Sequence, residues 1–154
     1  MTETDTDTAP RPPARLRGLA SWQANKASTL GARLTAQRMP LRARSDFAVL
    51  AALEEYGPLS QADIGRRLGL DRNDVSGVLD RLESQHQADR HPDPGNRRRN
   101  VVTLTAAGRQ RLEELQRHAD AVQDELLAGL DPAEREQLHF LLAKLLDSHT
   151  PQPA

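Results

Sequence analysis

The chain has 154 residues, a length typical of one domain with a sizeable buried core. It contains no cysteine, which excludes disulfides, thiol nucleophiles and cysteine-based zinc sites. Aromatic residues make up only 3% of the chain, so the core must consist of aliphatic side chains. No apolar run approaches the about 18 residues of a membrane-spanning helix, and the acidic N-terminus is unlike a signal peptide. We therefore expect a cytoplasmic protein with no membrane partner.

The net charge of −1 conceals an uneven distribution of charge. Residues 11–45 contain eight basic residues and no acid, whereas residues 105–154 contain five bases against nine acids. Overall charge therefore argues neither for nor against a nucleic-acid partner, and the location of the basic residues must decide. Residues 11–45 are best explained as an arginine-rich helix face with a flexible basic arm, and additional phosphate contacts are the alternative.

Apolar spacing and capping residues predict six helices within one domain, residues 15–148. The helices are expected over residues 16–38, 45–56, 60–68, 71–84, 105–128 and 131–147, where the last four ranges include the N-cap residue. Residues 1–14 are polar and proline-rich, which predicts a disordered tail, and residues 149–154 are expected to fray.

The middle of the chain has the pattern of a helix-turn-helix. Ser60 is followed by Asp63, and Asp71 by Asp74, which is the spacing of an N-cap residue and an acidic third residue. Gly69 ends the first of these two short helices, and a glycine-containing turn is typical of the motif.

The hydrophobic period then changes to that of strands. Residues 88–91 and 100–104 flank a run of turn residues and arginines, His-Pro-Asp-Pro-Gly-Asn-Arg-Arg-Arg. This order predicts a β-hairpin with a basic tip.

The helix that follows carries apolar residues at steps of three and four, like a coiled-coil seam. These residues are Leu112, Leu115, Ala119, Val122 and Leu126. We interpret this stripe as a dimer face, shared with the predicted helices 16–38 and 131–147, and the alternative is a core within one subunit. The predicted fold class is mainly α with a small β-hairpin: a winged helix-turn-helix lobe, residues 45–104, plus dimerisation helices, residues 16–38 and 106–147.

This arrangement identifies candidate contacts to double-stranded DNA. The second helix of the motif can enter the major groove and present its first turns to the bases, and a helix N-terminus can hold a phosphate. Arginine can pair bidentately with guanine and asparagine with adenine, whereas arginines on a wing can enter the minor groove. The predicted DNA-binding residues are Ser60, Gln61, Arg72, Asn73, Ser76, Gly77, Arg81, Arg97, Arg98 and Arg99.

Several spaced motifs resemble the MarR family of bacterial transcription regulators over residues 41–147. They are LSQADIGRRLGLDRNDVSGVLDRLESQ (59–85), Asp93-Pro94 with Arg97-Arg98, and Val102-x-Leu104-Thr105-x-x-Gly108. The resemblance implies a homodimeric winged helix-turn-helix repressor or activator. It also implies a small phenolic or lipophilic effector bound between the dimer helices and the DNA-binding lobe.

The chain departs from the family pattern at four positions. His86 and Gln87 stand where glycine and an apolar residue are usual, Asn96 replaces the wing aspartate, and Gly77 stands where arginine is common. These departures concern DNA contact more than the fold.

No motif for catalysis, a cofactor or a metal is present, so we do not expect an enzyme. There is no G-x-S-x-G, H-E-x-x-H or glycine-rich phosphate loop, and no cysteine or H-x-x-x-H pair that would support zinc. An effector pocket is expected to be mainly aliphatic, with Trp22 and Phe47 as its nearest rings. Its ligand is expected to be an apolar or weakly acidic small molecule.

Two functions of different classes follow from these patterns. The first is a dimeric DNA-binding transcription regulator, a repressor that recognises a pseudo-palindromic operator and is tuned by a small ligand. The second is a winged-helix module that binds a protein partner and has weakened or lost DNA binding. A steep dependence of duplex binding on salt would distinguish the first from the second.

Overall fold

The computed structural model describes residues 10–150, which form seven helices and three strands. The elements in chain order are α1 (Ala14–Arg17), α2 (Ala20–Arg38), α3 (Leu41–Tyr56), β1 (Leu59–Ser60), α4 (Gln61–Leu68), α5 (Arg72–Ser84), β2 (Ala88–Asp93), β3 (Asn96–Leu104), α6 (Ala106–Leu126) and α7 (Pro132–Asp147). Within this range, no helix is both long and apolar enough to cross a membrane.

Helices α4 and α5 form the predicted helix-turn-helix, and the strands form a small antiparallel sheet beside it in the order β1-β3-β2. Leu59 of β1 is paired with Val102 of β3, which joins the start of the helix-turn-helix to the hairpin. The predicted fold class, mainly α with a winged helix-turn-helix, is confirmed. Strand β1 was not predicted, because two residues are too short to show a strand period.

The core of the winged lobe is aliphatic, as the shortage of aromatic residues requires. Leu50 of α3, Ile64 of α4, Leu79 and Leu82 of α5, and Val102 of β3 are each no more than 1% exposed. Burying one such side chain stabilises the fold by about 1.5–3 kcal/mol, so these contacts fix the orientation of α5 relative to α3 and the sheet.

The predicted helix over residues 16–38 is divided in the structure. Gly18 ends α1, and Leu19 adopts an extended conformation before α2 begins at Ala20. Glycine has the lowest helix propensity of all residues except proline, and this accounts for the break at Gly18. Gly31 does not interrupt α2, because it lies against α6, where a Cβ would be 3.6 Å from the Cδ2 of Leu126.

Helix α3 begins at Leu41, four residues before the predicted start at residue 45. Pro40 is its N-cap, a position at which a missing N–H costs no helical hydrogen bond. The side chain of Arg44 donates from Nε to the carbonyl oxygen of Met39 at 3.2 Å, which ties the first turn back to the preceding residues.

The seam on α6 was interpreted as a dimer face, and this interpretation is wrong for most of its length. Leu112, Leu115 and Val122 are 4%, 2% and 3% exposed within the single chain, because α2 and α3 of the same chain cover them. The alternative, a core within one subunit, is correct for these residues. The period of three and four identifies a buried face but carries no information about which chain buries it.

Uncovered apolar surface lies instead on α7 and along α1 and the first half of α2. Five large side chains of α7 are between 44% and 66% exposed: Phe140, Leu141, Leu142, Leu145 and Leu146. Leu16, Leu19 and Leu30 are also exposed. A contiguous apolar face of this kind is typical of an interaction surface.

The hairpin contains the predicted strands, 88–91 and 100–104, and extends beyond them. Strands β2 and β3 keep one register from the pair Ala88 and Leu104 to the pair Pro92 and Asn100, and then the register shifts so that Asp93 is paired with Asn96. Residues 97–99 belong to β3 and not to an irregular loop, but they have no partner on β2 and lie at the basic end of the hairpin, as predicted. Pro92 is tolerated because β2 is an edge strand, whose outer backbone needs no partner.

The predicted tails lie only partly within the described residues. Residues 1–9 and 151–154 are outside them. Residues 10–13 are irregular, whereas Ala14 already belongs to α1.

Candidate nucleic-acid interface

Helix α5 is held by one face and leaves its N-terminal turn free. The carboxylate of its N-cap, Asp71, accepts from the backbone N–H of Asp74 at 2.8 Å, which confirms the predicted cap. Val75, Val78, Leu79 and Leu82 are buried. Arg72 and Asn73 are exposed, and Ser76 and Gly77 are half-buried. The first turn therefore offers a guanidinium and an amide to solvent, as a groove-reading helix requires.

Helix α4 begins at a residue whose hydroxyl is already engaged. Ser60 is 3% exposed, and its Oγ accepts from the backbone N–H of Asp63 at 3.1 Å and donates to Asp63 Oδ2 at 2.6 Å. The cap was predicted, but these bonds direct the hydroxyl into the helix. Gln61, the next residue, is half-buried, and its Oε1 accepts from Arg90 at 3.4 Å.

The wing presents a row of exposed arginines on β3. Arg97, Arg98 and Arg99 are all exposed. The turn before them is shaped by Asp93, whose carboxylate accepts from the N–H of Gly95 at 2.9 Å, and by Asn96, whose Oδ1 accepts from the N–H of Arg98 at 3.2 Å. Asn96 therefore contributes to the turn by accepting a backbone N–H.

A cleft of about 620 Å³ opens between the start of α4, the start of α5 and the wing. Four arginines from three elements line it: Arg66 of α4, Arg72 of α5, and Arg98 and Arg99 of β3. Ser60 and Gln61 also line it, so the structure brings together five of the predicted residues and adds Arg66, which was not predicted. Asn73, Ser76, Gly77, Arg81 and Arg97 are not among the lining residues. Clustered guanidinium groups of this kind are suited to phosphate.

Arg81 has partners inside the chain. Its Nη2 donates to Asp46 Oδ1 of α3 at 2.7 Å, and its Nη1 donates to the carbonyl oxygen of Gly77 at 3.2 Å. The Arg81 side chain is 34% exposed and that of Asp46 is 14% exposed. This ion pair fixes the C-terminal half of α5 to α3, and it leaves Arg81 little freedom to reach DNA.

Arg90, which was not among the predicted residues, joins the wing to both helices of the motif. From β2 its guanidinium donates to Asp80 at 2.5 Å and to Glu83 at 2.9 Å, both on α5, besides Gln61 at the start of α4. The hydrogen bond with Asp80 raises the pKa of Arg90, and partial burial opposes this. No local pattern could have revealed the role, since its partners lie seven, ten and 29 residues away.

Asp63 lies between α4 and the wing. Its Oδ1 accepts from Arg66, and its Oδ2 accepts from Arg99 at 3.0 Å as well as from Ser60. The hydrogen bond from Ser60 and then that from Arg66 lower the pKa of Asp63, so the carboxylate is ionised at neutral pH. Two of the four arginines of the cleft therefore have an internal anionic partner.

The two rings predicted near an effector pocket lie on different helices. Trp22 is half-buried on α2, with the Nζ of Lys26 5.5 Å from its ring centre, and Phe47 of α3 packs against the core of the winged lobe. A second cavity, of about 370 Å³, lies between α3, α5 and α6. Its lining includes Asp46, Arg81, Arg111 and Glu114 but neither ring.

Comparison with known proteins finds transcription regulators among the relatives of this chain. The model of the MarR family matches residues 42–99. The repressor NicR of Pseudomonas putida is 32% identical over 102 residues, which are 66% of this chain and 65% of NicR. The chain thus spans slightly less than two thirds of that relative's length.

Solved structures extend the likeness over most of the chain. The structure of BpsR from Bordetella bronchiseptica, a protein whose DNA binding is regulated by 6-hydroxynicotinic acid, has 31% identity and a TM-score of 0.67. It covers 81% of this chain, and this chain covers 96% of BpsR. A mutant of MarR from Escherichia coli complexed with operator DNA has 25% identity and a TM-score of 0.57, with 80% of this chain and 87% of that chain covered.

Proposed function

The chain belongs to the MarR family, and on this premise we propose that it is a dimeric, sequence-specific DNA-binding transcription regulator, a repressor tuned by a small ligand. The observation that carries the proposal is the cleft in which Arg66, Arg72, Arg98 and Arg99 converge beside the free N-terminal turn of α5. In this proposal Arg66, Arg98 and Arg99 supply phosphate contacts, which dominate the affinity of proteins for DNA, and Arg72 lies beside them on the helix that reads the bases.

The proposed contacts divide into base reading and backbone reading. Helix α5 enters the major groove, where Arg72 pairs with guanine and Asn73 with adenine, and the half-buried Gly77 lets the helix approach closely. The wing arginines follow the phosphates and the width of the minor groove. Two predicted residues receive internal roles, because their polar groups are engaged within the chain: Ser60 caps α4, and Arg81 holds α5 to α3.

A second copy of the chain is the proposed partner of α7. Its leucines are about half exposed in the single chain, and a helix with this much apolar surface needs a cover in water. A closed dimer with two-fold symmetry presents two copies of α5, one from each subunit. The operator is then pseudo-palindromic, with half-sites about one helical turn apart.

The proposed effector is a small aromatic acid. The DNA binding of BpsR is regulated by 6-hydroxynicotinic acid, which is an aromatic carboxylic acid. Residues 11–45 supply arginines that suit a carboxylate, and Trp22 and Phe47 are the rings proposed to lie near the ligand. Because Trp22 is the single tryptophan, quenching of its fluorescence on titration with such acids, together with release of DNA, tests the site.

The experiment that tests the main proposal is fluorescence anisotropy of a labelled duplex taken from the region upstream of the protein's own gene. A scrambled duplex of the same composition serves as control, and both are titrated at several salt concentrations. We expect tighter binding to the upstream duplex and a steep fall of affinity with salt for both. Absence of salt-dependent binding to either duplex would contradict the proposal and favour the protein-interaction module.

A further inference from the structure

One carboxylate lies among the arginines of the DNA-facing cleft and uses both of its oxygens there. Asp63 accepts from Arg66 through Oδ1 and from Arg99 through Oδ2, the latter at 3.0 Å. Arg99 also lies 3.7 Å from Asp93, measured from Nε to Oδ2. The side chain of Asp63 is 24% exposed, whereas those of Arg66 and Arg99 are 77% and 50% exposed. The cations thus face solvent while the anion lies behind them.

The chemistry of this contact is the same as that of a DNA phosphate. An oxyanion that accepts hydrogen bonds from guanidinium groups is what a phosphate oxygen offers to arginine. A phosphate entering the cleft would meet Arg66 and Arg99 already neutralised and would lie close to a like charge. Binding therefore requires either that the arginines turn from Asp63 to the phosphate, or that they stay with Asp63 and contribute nothing to affinity.

We propose that Asp63 is an internal substitute for a DNA phosphate: it holds Arg66 and Arg99 in the free protein and so limits affinity for any duplex. The inference rests on the proposed function, since it concerns the affinity of the same interface. Its role differs from base reading, because competition for phosphate-binding arginines carries no sequence information. Asp63 thus sets how firmly the protein holds DNA of any sequence, while Arg72 and Asn73 set which sequence it prefers.

The direction of the expected effect is unusual for a residue with three hydrogen-bonded partners. Removing the negative charge of Asp63 should tighten binding to DNA, because it frees Arg66 and Arg99 for phosphate. Each arginine freed for a phosphate steepens the dependence of log affinity on log salt by about 0.9. DNA binding to the unmodified protein must break the two exposed ion pairs of Asp63. Their absence in a neutral variant corresponds to a gain of about two- to thirtyfold in affinity for DNA at moderate salt. The gain should be the same factor for operator and scrambled duplexes.

The test compares Asp63→Asn and Asp63→Gln with the unmodified protein by duplex anisotropy at several salt concentrations. Gln is well suited to the third position of a capped helix, so it supplies a folded neutral variant if Asn does not. Asp63→Glu keeps the charge and should restore affinity close to that of the unmodified chain. Glu113→Gln changes net charge equally at an exposed position of α6 and should leave the salt slope unchanged. Circular dichroism confirms folding of each variant.

The outcomes separate this inference from the proposed function. The inference is supported if both neutral variants bind DNA more tightly and with a steeper salt slope. The gain in affinity should be the same factor on both duplexes. If the unmodified protein binds DNA but the neutral variants bind equally or more weakly, Asp63 is a brace that holds Arg99 ready for DNA, and the inference is overturned while the proposed function stands. If the unmodified protein binds neither duplex, both fail.

Discussion

Gly108 of α6 lies directly against the backbone carbonyl of Gln87, so close that a Cβ at residue 108 would be 2.0 Å from that oxygen. Thr105 strengthens the contact, since its Oγ1 donates to the carbonyl oxygen of His86 at 2.6 Å and its N–H to that of Gln87 at 3.3 Å. The segment that leaves α5 is therefore clamped to the first turn of α6. Any rotation of α6 must move the C-terminal end of the helix that we propose reads DNA.

The first prediction is that Gly108→Ala destabilises the protein. A Cβ cannot be accommodated without moving backbone, and overpacking of this kind costs about 1–3 kcal/mol in the free energy of unfolding. Gly77→Ala is the matched control, because a Cβ there meets nothing within 4 Å, and replacing a mid-helix glycine should stabilise by about 0.5–1 kcal/mol. Urea unfolding at one protein concentration measures both, and equal stabilities would contradict the packing of Gly108.

The second prediction concerns the residue before Gln87. His86 has φ of 56°, a left-handed conformation that costs an ordinary L-residue about 1–2 kcal/mol. His86→Gly removes this cost, but it also raises the conformational entropy of the unfolded chain, which lowers the free energy of unfolding by about 0.4–1 kcal/mol. We expect a net gain of roughly 0.5–1 kcal/mol, seen as a higher urea midpoint with an unchanged slope. A lower midpoint would mean that the His86 side chain contributes a contact worth more than the strain.

The features that could be predicted from the sequence are those set by neighbours along the chain. The N-caps Ser60, Asp71, Thr105 and Asp131 were all identified, and each accepts from the backbone N–H three residues later. A cap needs only a short polar side chain at the right spacing, so its signal is local.

The features that were missed depend on distant partners. Arg90 bonds to residues of α4 and α5, and Arg66 meets the arginines of α5 and β3 only in the folded cleft, so no spacing in the sequence indicates either role. The extension of β3 to Asn96 was missed for another reason: the hydrogen bonds of Asp93 and Asn96 that shape the turn are local, but the arginines after the turn show no alternation of polar and apolar residues that would indicate a strand.

The third prediction follows from the exposed face of α7. Leu141 and Leu145 lie one turn apart and are both 52% exposed, so the double variant Leu141→Asp, Leu145→Asp should remain folded and become monomeric. Leu115→Asp places a charge at a position that is 2% exposed and should unfold the lobe instead. Light scattering gives the mass and circular dichroism the helix content. A folded dimer after the double change on α7 would place the interface elsewhere.

The fourth prediction separates base reading from phosphate reading. Arg72→Ala or Asn73→Ala should remove a bidentate base contact, lower operator affinity by about 1–3 kcal/mol and relax preference at one position in each half-site. Arg98→Ala should instead weaken binding to every duplex and reduce the salt slope by roughly one for each phosphate that Arg98 neutralises. Arg117→Ala, at an exposed position of α6, controls for the change in net charge. The measurement is duplex anisotropy against a panel of single-base operator variants at two salt concentrations.

The two classes of variant differ in what they should leave unchanged. For Arg98→Ala the ratio of operator to scrambled affinity should persist, whereas for Arg72→Ala and Asn73→Ala the salt slope on scrambled DNA should change little, because phosphate contacts carry no sequence information. If the changes at Arg72 and Asn73 alter neither affinity nor preference in a folded protein, α5 is not the element that reads DNA. The exposed first turn of α5 would then be a surface for a protein partner, and the winged helix-turn-helix would serve binding of a different kind.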